Sequence, residues 1–361
     1  MIYKLLVVLT YFILYVTLLP LWRHTAWWVR GLDFPRFQFM LLAFFLLLAD
    51  LFFLDFAHFS SWLMAGSALG CFCFQFGWIL PYTRLFPMEV KPARNRYEAN
   101  SIRVLTANVL MTNRNAESLI ALVKKFEPDV LVTLETDLWW EEKLRVLEEE
   151  YKYSIKCPLD NRYGMHVYSR LPMEDTAIQF LVEPDVPSMH ALVELRSNVK
   201  VRFHFMHPAP PSPTENPASS ERDAELLVVG KSVADETDPI IITGDLNDVA
   251  WSATTRLFRK ISGLLDPRIG RGMFNTFHAG IFFARWPLDH LFHSEHFTLA
   301  HIERLPYFGS DHFPMLVELV YDVAHGAEQE GLQADEEDHS WAEAKMDVHE
   351  VEESHVHEPG K

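Results

Sequence analysis

The chain has only three cysteines in 361 residues, and two of them, Cys71 and Cys73, fall inside an apolar run. Cys157 is then alone in the polar remainder, which excludes an internal disulfide framework there. Positive charge is scarce as well: 32 Lys and Arg stand against 49 Asp and Glu, a formal charge of −17. The deficit is unevenly spread. Residues 1–99 carry +3, residues 100–321 carry −9 and residues 322–361 carry −11. An acidic domain lacks the basic stripe that nucleic-acid backbones demand, so nucleic acid is the less favoured partner. The same charge suits a site that gathers divalent cations. No internal repeat is present. No Gly-x-Ser-x-Gly follows a strand pattern, which removes a Ser-His-Asp hydrolase. No small-residue cleavage site follows the first apolar run, and further runs come after it, so it reads as retained and not as a signal peptide.

What the sequence has in abundance is apolar length near its start. Runs at Leu5–Trp22, Phe39–Phe56 and Trp62–Leu80 each approach the ~20 residues needed to cross a bilayer. Trp22, Trp27, Trp28, Trp62 and Trp78 lie near their ends, as an aromatic belt would. With so little polar surface, a soluble bundle would have no outer face. We therefore expect three transmembrane helices and a lipid bilayer as partner. Asp50 and Asp55 sit late in the second run, where they are expected to reach the interface. Three spans put the rest of the chain on the same side as loop 23–36. Arg23, Arg30 and Arg36 in that loop, with Arg84, Lys91, Arg94 and Arg96 beyond the third run, favour a cytoplasmic domain by the positive-inside rule.

Residues 82–99 read as a polar, basic linker after a membrane anchor at 1–81. An αβ pattern follows over 100–321. Strands are expected at Ser101–Val109, Val130–Leu134, Tyr151–Lys156, Gly164–Tyr168, His190–Leu195, Val199–Met206, Pro239–Thr243, Leu288–His293 and Met315–Val320. Helices are expected at Ala116–Phe126, Trp139–Glu149, Arg222–Val233 and Thr254–Ile261. Strands outnumber helices and many are joined by short turns, which argues for a mixed or antiparallel α+β sandwich over a doubly wound sheet. Residues 322–361 are acidic and poor in aliphatics, and read as a disordered tail that carries His339, His349, His355 and His357.

Polar residues at strand ends are the informative ones, because loops there carry sites. Asn108 ends the first strand in L-T-A-N-V. Glu135 ends the second in L-V-T-L-E-T. His207 leaves a strand into a proline-rich loop in M-H-P-A-P-P. Asp245 and Asn247 follow another in G-D-L-N, Asp289 and His290 open one in L-D-H-L, and Asp311 and His312 precede the last in S-D-H-F-P. Any one of these alone is an ordinary turn or capping residue.

In this order, with G-M-H-V-Y-S-R-L-P at 164–172, they resemble the endonuclease/exonuclease/phosphatase family, the DNase I-like metal-dependent phosphoesterases. The resemblance covers about residues 100–321 and implies a four-layered αββα sandwich with the site at one end of two sheets. It implies Mg²⁺, or Mn²⁺ in its place, held by Glu135 with Asn108 and Asp311. Asp245 would orient and deprotonate the attacking water, and Asn247 would hold a phosphoryl oxygen. His312, backed by Asp289, would donate to the phosphoryl group, and His207 would protonate the leaving group. His166, His204 and His290 are left as sheet residues. His278, Arg285 and Arg222 could meet a second phosphate.

Three apolar runs ahead of this domain, with H-P-A-P-P, also resemble a bacterial membrane-bound branch that includes VanJ-type proteins. That implies a multi-pass protein of the bacterial inner membrane with its domain periplasmic or extracellular, against the charge rule. The substrate expected is a phosphate ester or pyrophosphate, membrane-associated and possibly lipid-linked. The alternatives are a metal-dependent nuclease and a catalytically inactive scaffold of the same fold.

Overall fold

The computed structural model describes residues 1–234 and 236–361. Three helices are long and apolar enough to cross a membrane, within Ile2–Leu21, Arg36–Phe53 and Phe59–Tyr82. They are α1 (Ile2–Leu18), α3 (Arg36–Phe53) and α4 (Phe59–Ile79), with the short α2 (Trp27–Arg30) between the first two. Asp55 is exposed and accepts from Ala57 N at the turn into α4. Asp50 differs from expectation. Its side chain is fully buried among the helices, with neither carboxylate oxygen hydrogen-bonded among the described residues.

Two mixed sheets follow. The first contains β1 (Ser101–Asn108), β2 (Val130–Leu134), β3 (Tyr153–Cys157) and β4 (Met165–Ser169). The second contains β5 (Met173–Gln179), β6 (Ser188–Glu194), β7 (Lys200–Met206), β8 (Ile240–Asp245) and β9 (Asp289–His293). The chain then returns to the first sheet with β10 (Phe297–Arg304) and β11 (Met315–Tyr321), giving the orders β10-β11-β1-β2-β4-β3 and β5-β6-β7-β8-β9. The β1–β2 and β7–β8 pairs are parallel and the others antiparallel.

Side chains alternate across each strand, and that alternation builds the layers. Ile102 and Val104 of β1 pack inward with Phe203, Phe205 and Ile241 of the facing sheet. Leu105 and Ala107 point outward, under α5 (Ala116–Phe126) and α6 (Leu138–Leu144). Ile240 and Ile242 point outward on the other side, under α7 (Ser220–Ser232) and α8 (Ala253–Ser262). The result is the expected αββα sandwich. β5 and β10 were missed. Both are edge strands, and their apolar alternation is interrupted by M-E-D-T and A-H-I-E-R.

The expected disordered tail is corrected. After α9 (Val323–Gly326), the helix α10 (Glu336–Asp347) packs across α7 and α8. Ala342, Met346, Val351 and Val356 are buried there. Acidic charges are answered by cations elsewhere in the chain: Lys260 of the sandwich meets Asp338, and Arg23 of the anchor meets Glu337. Lys345, one of the tail's few bases, reaches buried Asp223 of α7. Composition predicted solvation because it counts charges without knowing that complementary ones wait opposite. The linker is also packed, with Val90 in the inter-sheet core and Glu89 held by Arg259.

Candidate active site

The strand phase that fills the core also aims the polar residues. Thr106 and Thr243 face inward from opposite sheets, and their hydroxyls meet at 2.9 Å. Two residues further along each strand lie Asn108 and Asp245, in the same phase, and the Asn108 amide donates to Asp245 Oδ2 at 3.1 Å. It also donates to Glu135 Oε1 at 2.9 Å, while its own Oδ1 accepts from Leu110 N. Met111 N donates to the other Glu135 oxygen. Asn108 thus orients two carboxylates with its nitrogen, and its oxygen is already engaged.

Gly244 is required by this meeting. Its φ is +154°, and a Cβ there would sit 1.8 Å from the Met206 carbonyl. Glu135 and Asn247 hold left-handed backbone, with φ of 59° and 50°, strain that collects where side chains must be aimed. The Asn247 N–H donates to Asp245 Oδ1, and its side-chain amide donates to Pro208 O, fixing the start of the proline-rich loop.

His312 lies between two buried carboxylates. Its Nδ1 is 2.8 Å from Asp289 Oδ2, and its Nε2 is 3.5 Å from Asp245 Oδ2. Burial alone would lower its pKa, but Asp289 and Asp245 outweigh burial and push it up to about 10. The ring is therefore an imidazolium at neutral pH. Burial raises Asp289, which also faces Asp245. Burial opposes the ionisation of Asp245 too, but His312, His207 and the Asn247 and Asn108 donors leave it lowered. Asp245, Asp289 and His312 lie close enough together to hold a metal ion by distance.

His207 is buried, with Nδ1 unpartnered, and packs against the Tyr163 ring at 5.6 Å. Ser310 Oγ donates to the Asn108 carbonyl, tying the loop that bears Asp311 to the end of β1. Asp311 is half-buried and adds to the field at His312. The structure thus links Asn108, Glu135, Asp245, Asn247, Asp289 and His312 by hydrogen bonds or ion pairs, with His207 and Asp311 beside them. Four carboxyl groups against two imidazoles make an oxygen-rich, negative donor set. That chemistry fits a hard divalent cation.

The residues left aside lie in the opposite strand phase. His290 points outward to Arg268 and the Asp248 carbonyl, His204 outward to His190, and His166 toward Tyr168. Arg222 is spent on Asp223 and Asp248, so it does not meet a substrate phosphate. Tyr163 and Arg304 were missed. Tyr163 lies in a turn with no pattern of its own, and Arg304 becomes notable only because its guanidinium, like that of Arg285, lies over the Phe313 ring.

The model of the Endonuclease/Exonuclease/phosphatase family matches residues 105–312. Among solved structures, the human Nocturnin catalytic domain with bound sulfate covers 62% of this chain and 94% of its own, at 16% identity and a TM-score of 0.51. D. rerio TDP2 complexed with single strand DNA product covers 61% and 98%, at 17% identity and 0.49. An endonuclease/exonuclease/phosphatase family protein from Bacteroides thetaiotaomicron covers 64% and 99%, at 17% and 0.49. At such identities the likeness to Nocturnin concerns the fold alone. No curated relative matches the chain by sequence.

Proposed function

This chain belongs to the endonuclease/exonuclease/phosphatase family, and from that premise we propose that it is a membrane-anchored, divalent-metal-dependent phosphoesterase. Its substrate is a phosphate ester or diphosphate presented at the bilayer. One observation carries the reading: the His312 ring held between Asp289 and Asp245, with Asn108 joining Asp245 to Glu135.

Glu135, oriented by Asn108, would hold Mg²⁺ or Mn²⁺, with Asp311 of the neighbouring loop as a further oxygen donor. When bound, the cation supplies Lewis-acid polarisation of the phosphoryl group and screens its charge. The other roles fall to the chain itself. His312 donates through Nε2 to a phosphoryl oxygen, stabilising the charge that builds there, and Asp289 holds its ring and keeps it protonated. Asp245, buried and lowered, accepts a proton from an attacking water. Asn247 has a second amide hydrogen for a phosphoryl oxygen. His207, with its unpartnered Nδ1, is the group placed to protonate the leaving oxygen.

The membrane side of the proposal is a periplasmic or extracellular domain on a bacterial inner membrane, as in the VanJ-type branch. Three of the basic residues that argued otherwise are occupied. Arg30 donates to the carbonyls of Pro20, Trp22 and His24, Arg36 pairs with Asp33, and Arg23 pairs with Glu337.

The test is phosphate release by the detergent-purified protein from a polyprenyl diphosphate, a phosphoinositide and DNA, with and without Mg²⁺. Turnover of a lipid that stops with EDTA and with His312→Ala supports the proposal. Cleavage of DNA alone replaces it with a nuclease, and inactivity on all three favours a scaffold.

A further inference from the structure

Two of the loops beside the site are attached to the anchor. The proline-rich loop after His207 ends in a bridge between Ala218 and Ala26, with Trp27 N donating to Pro217 O and Ser219 N to Thr25 O. The loop 277–286 is attached at α3. Gln38 donates to the Phe283 carbonyl at 2.8 Å, and Phe34 packs edge-on against Trp286 at 5.6 Å. The stem of this loop touches the catalytic group directly. The Phe277 ring lies 4.9 Å from that of His312, and Ala279 N donates to the Asp311 carbonyl at 2.6 Å.

Its tip is Ile281-Phe282-Phe283. Phe282 and Phe283 are 83% and 79% exposed, although the Phe283 carbonyl is held by Gln38. Leaving two phenylalanines in water forfeits the gain from burying them, so their exposure beside an apolar helix bundle calls for a covering phase. At the root of the tip, Arg285 stacks on Phe282 and Phe313, and Arg304 lies over the same Phe313 ring. Neither arginine takes part in an ion pair among the described residues, in a domain where acids exceed bases. Apolar tip, then arginine, is the order met on passing from hydrocarbon to headgroup phosphate.

We infer that loop 277–286 is a bilayer-inserted wedge. Phe282 and Phe283 enter the acyl region, and Arg285 and Arg304 meet lipid phosphate at the mouth of the site. The inference rests on the membrane-anchored phosphoesterase above and narrows its substrate class to a phosphate carried on a lipid that stays in the bilayer. Continuity with the three apolar helices selects the bilayer as the occupant.

The first measurement needs no activity. In a Cys71→Ser/Cys73→Ser/Cys157→Ser background, Phe282→Cys is spin-labelled in proteoliposomes of mixed neutral and anionic phospholipid. Collision with oxygen is compared with collision with a water-soluble nickel chelate. The control label is Tyr153→Cys, at the opposite end of the sheet from Glu135 because Tyr153 pairs with Ser169 and Ser169 with Val130. Oxygen preference at 282 severalfold above that at 153 supports insertion. Equal nickel access at the two positions overturns it, whatever the enzyme hydrolyses.

The second measurement compares substrates. Phe282→Ser/Phe283→Ser should lower kcat/KM on a vesicle-embedded polyprenyl diphosphate about tenfold or more, and leave a short-chain soluble analogue unchanged. Equal loss on both would make the loop a structural element and overturn the inference. If the protein hydrolyses no ester, the proposed function fails while the depth measurement still decides the wedge.

Discussion

At the scale of single residues, the arrangement turns on one buried imidazole. His312 is clamped by two carboxylates that could not both remain buried and charged without it. His312→Ala should reduce turnover by ~10²–10⁴, read as metal-dependent phosphate release. Asp289→Asn should lower kcat with little change in metal affinity, since Asp289 touches the imidazole and not Glu135.

Glu225 on α7 is a buried acid outside the site. Burial pushes its pKa up to about 8 from an ordinary 4.5, and Glu183 adds to the rise. Its stabilising contribution is then complete below pH 4.5. It declines as pH rises toward 8, because the unfolded chain ionises while the folded one holds its proton. Glu225→Gln should flatten that decline. Thermal unfolding at pH 5 and pH 8 should show the variant gaining on the parent only at the higher pH.

At the scale of elements, α7 is the instructive case. Leu226, Leu227, Val228 and Val229 are consecutive, and four neighbours on a helix cannot share one face. All are buried, because β-sheet covers one side and α10 the other. The tail is thus a cover whose few apolar residues matter more than its many acids. Met346→Ala should cost about 2–5 kcal/mol, visible as a lower unfolding midpoint. Hydrogen exchange should show α10 amides protected in the parent and faster in the variant, with α7 following. A freely solvated tail would exchange at once in both.

At the scale of the molecule, anchor and sandwich are joined through buried polar groups as well as aromatic ones. Asp33 pairs with Arg36 and Arg30, its carbonyl accepts from Trp251 Nε1, and Arg36 continues to Gln75 and Thr17 of the bundle. Trp251 lies just beyond the strand that delivers Asp245, so the anchor is attached close to the site. Removing one partner of such a buried network strands the others. Asp33→Ala should cost about 3–5 kcal/mol. In nanodiscs it should raise hydrogen exchange at 25–27 and 217–219 before the sheets are affected.

The sequence by itself determined the apolar runs, most of the strands and helices, and the polar residues at strand ends, because those depend on local period and turn chemistry. It also held the sorting of histidines. Counting strand phase separates His207 and Asp289 from His204 and His290, since alternate side chains must face opposite layers. Three things required the tertiary structure. The tail became a helix because charges and a groove on α7 and α8 met it from far away in the chain. Asp50 became buried because two other helices closed around it. The joining of Asn108, Glu135, Asp245, Asp289 and His312 came from stacking one sheet on the other, which brings strand ends 137 residues apart to within hydrogen-bond reach. A one-dimensional pattern carries the phase of each strand but not the partner it will face.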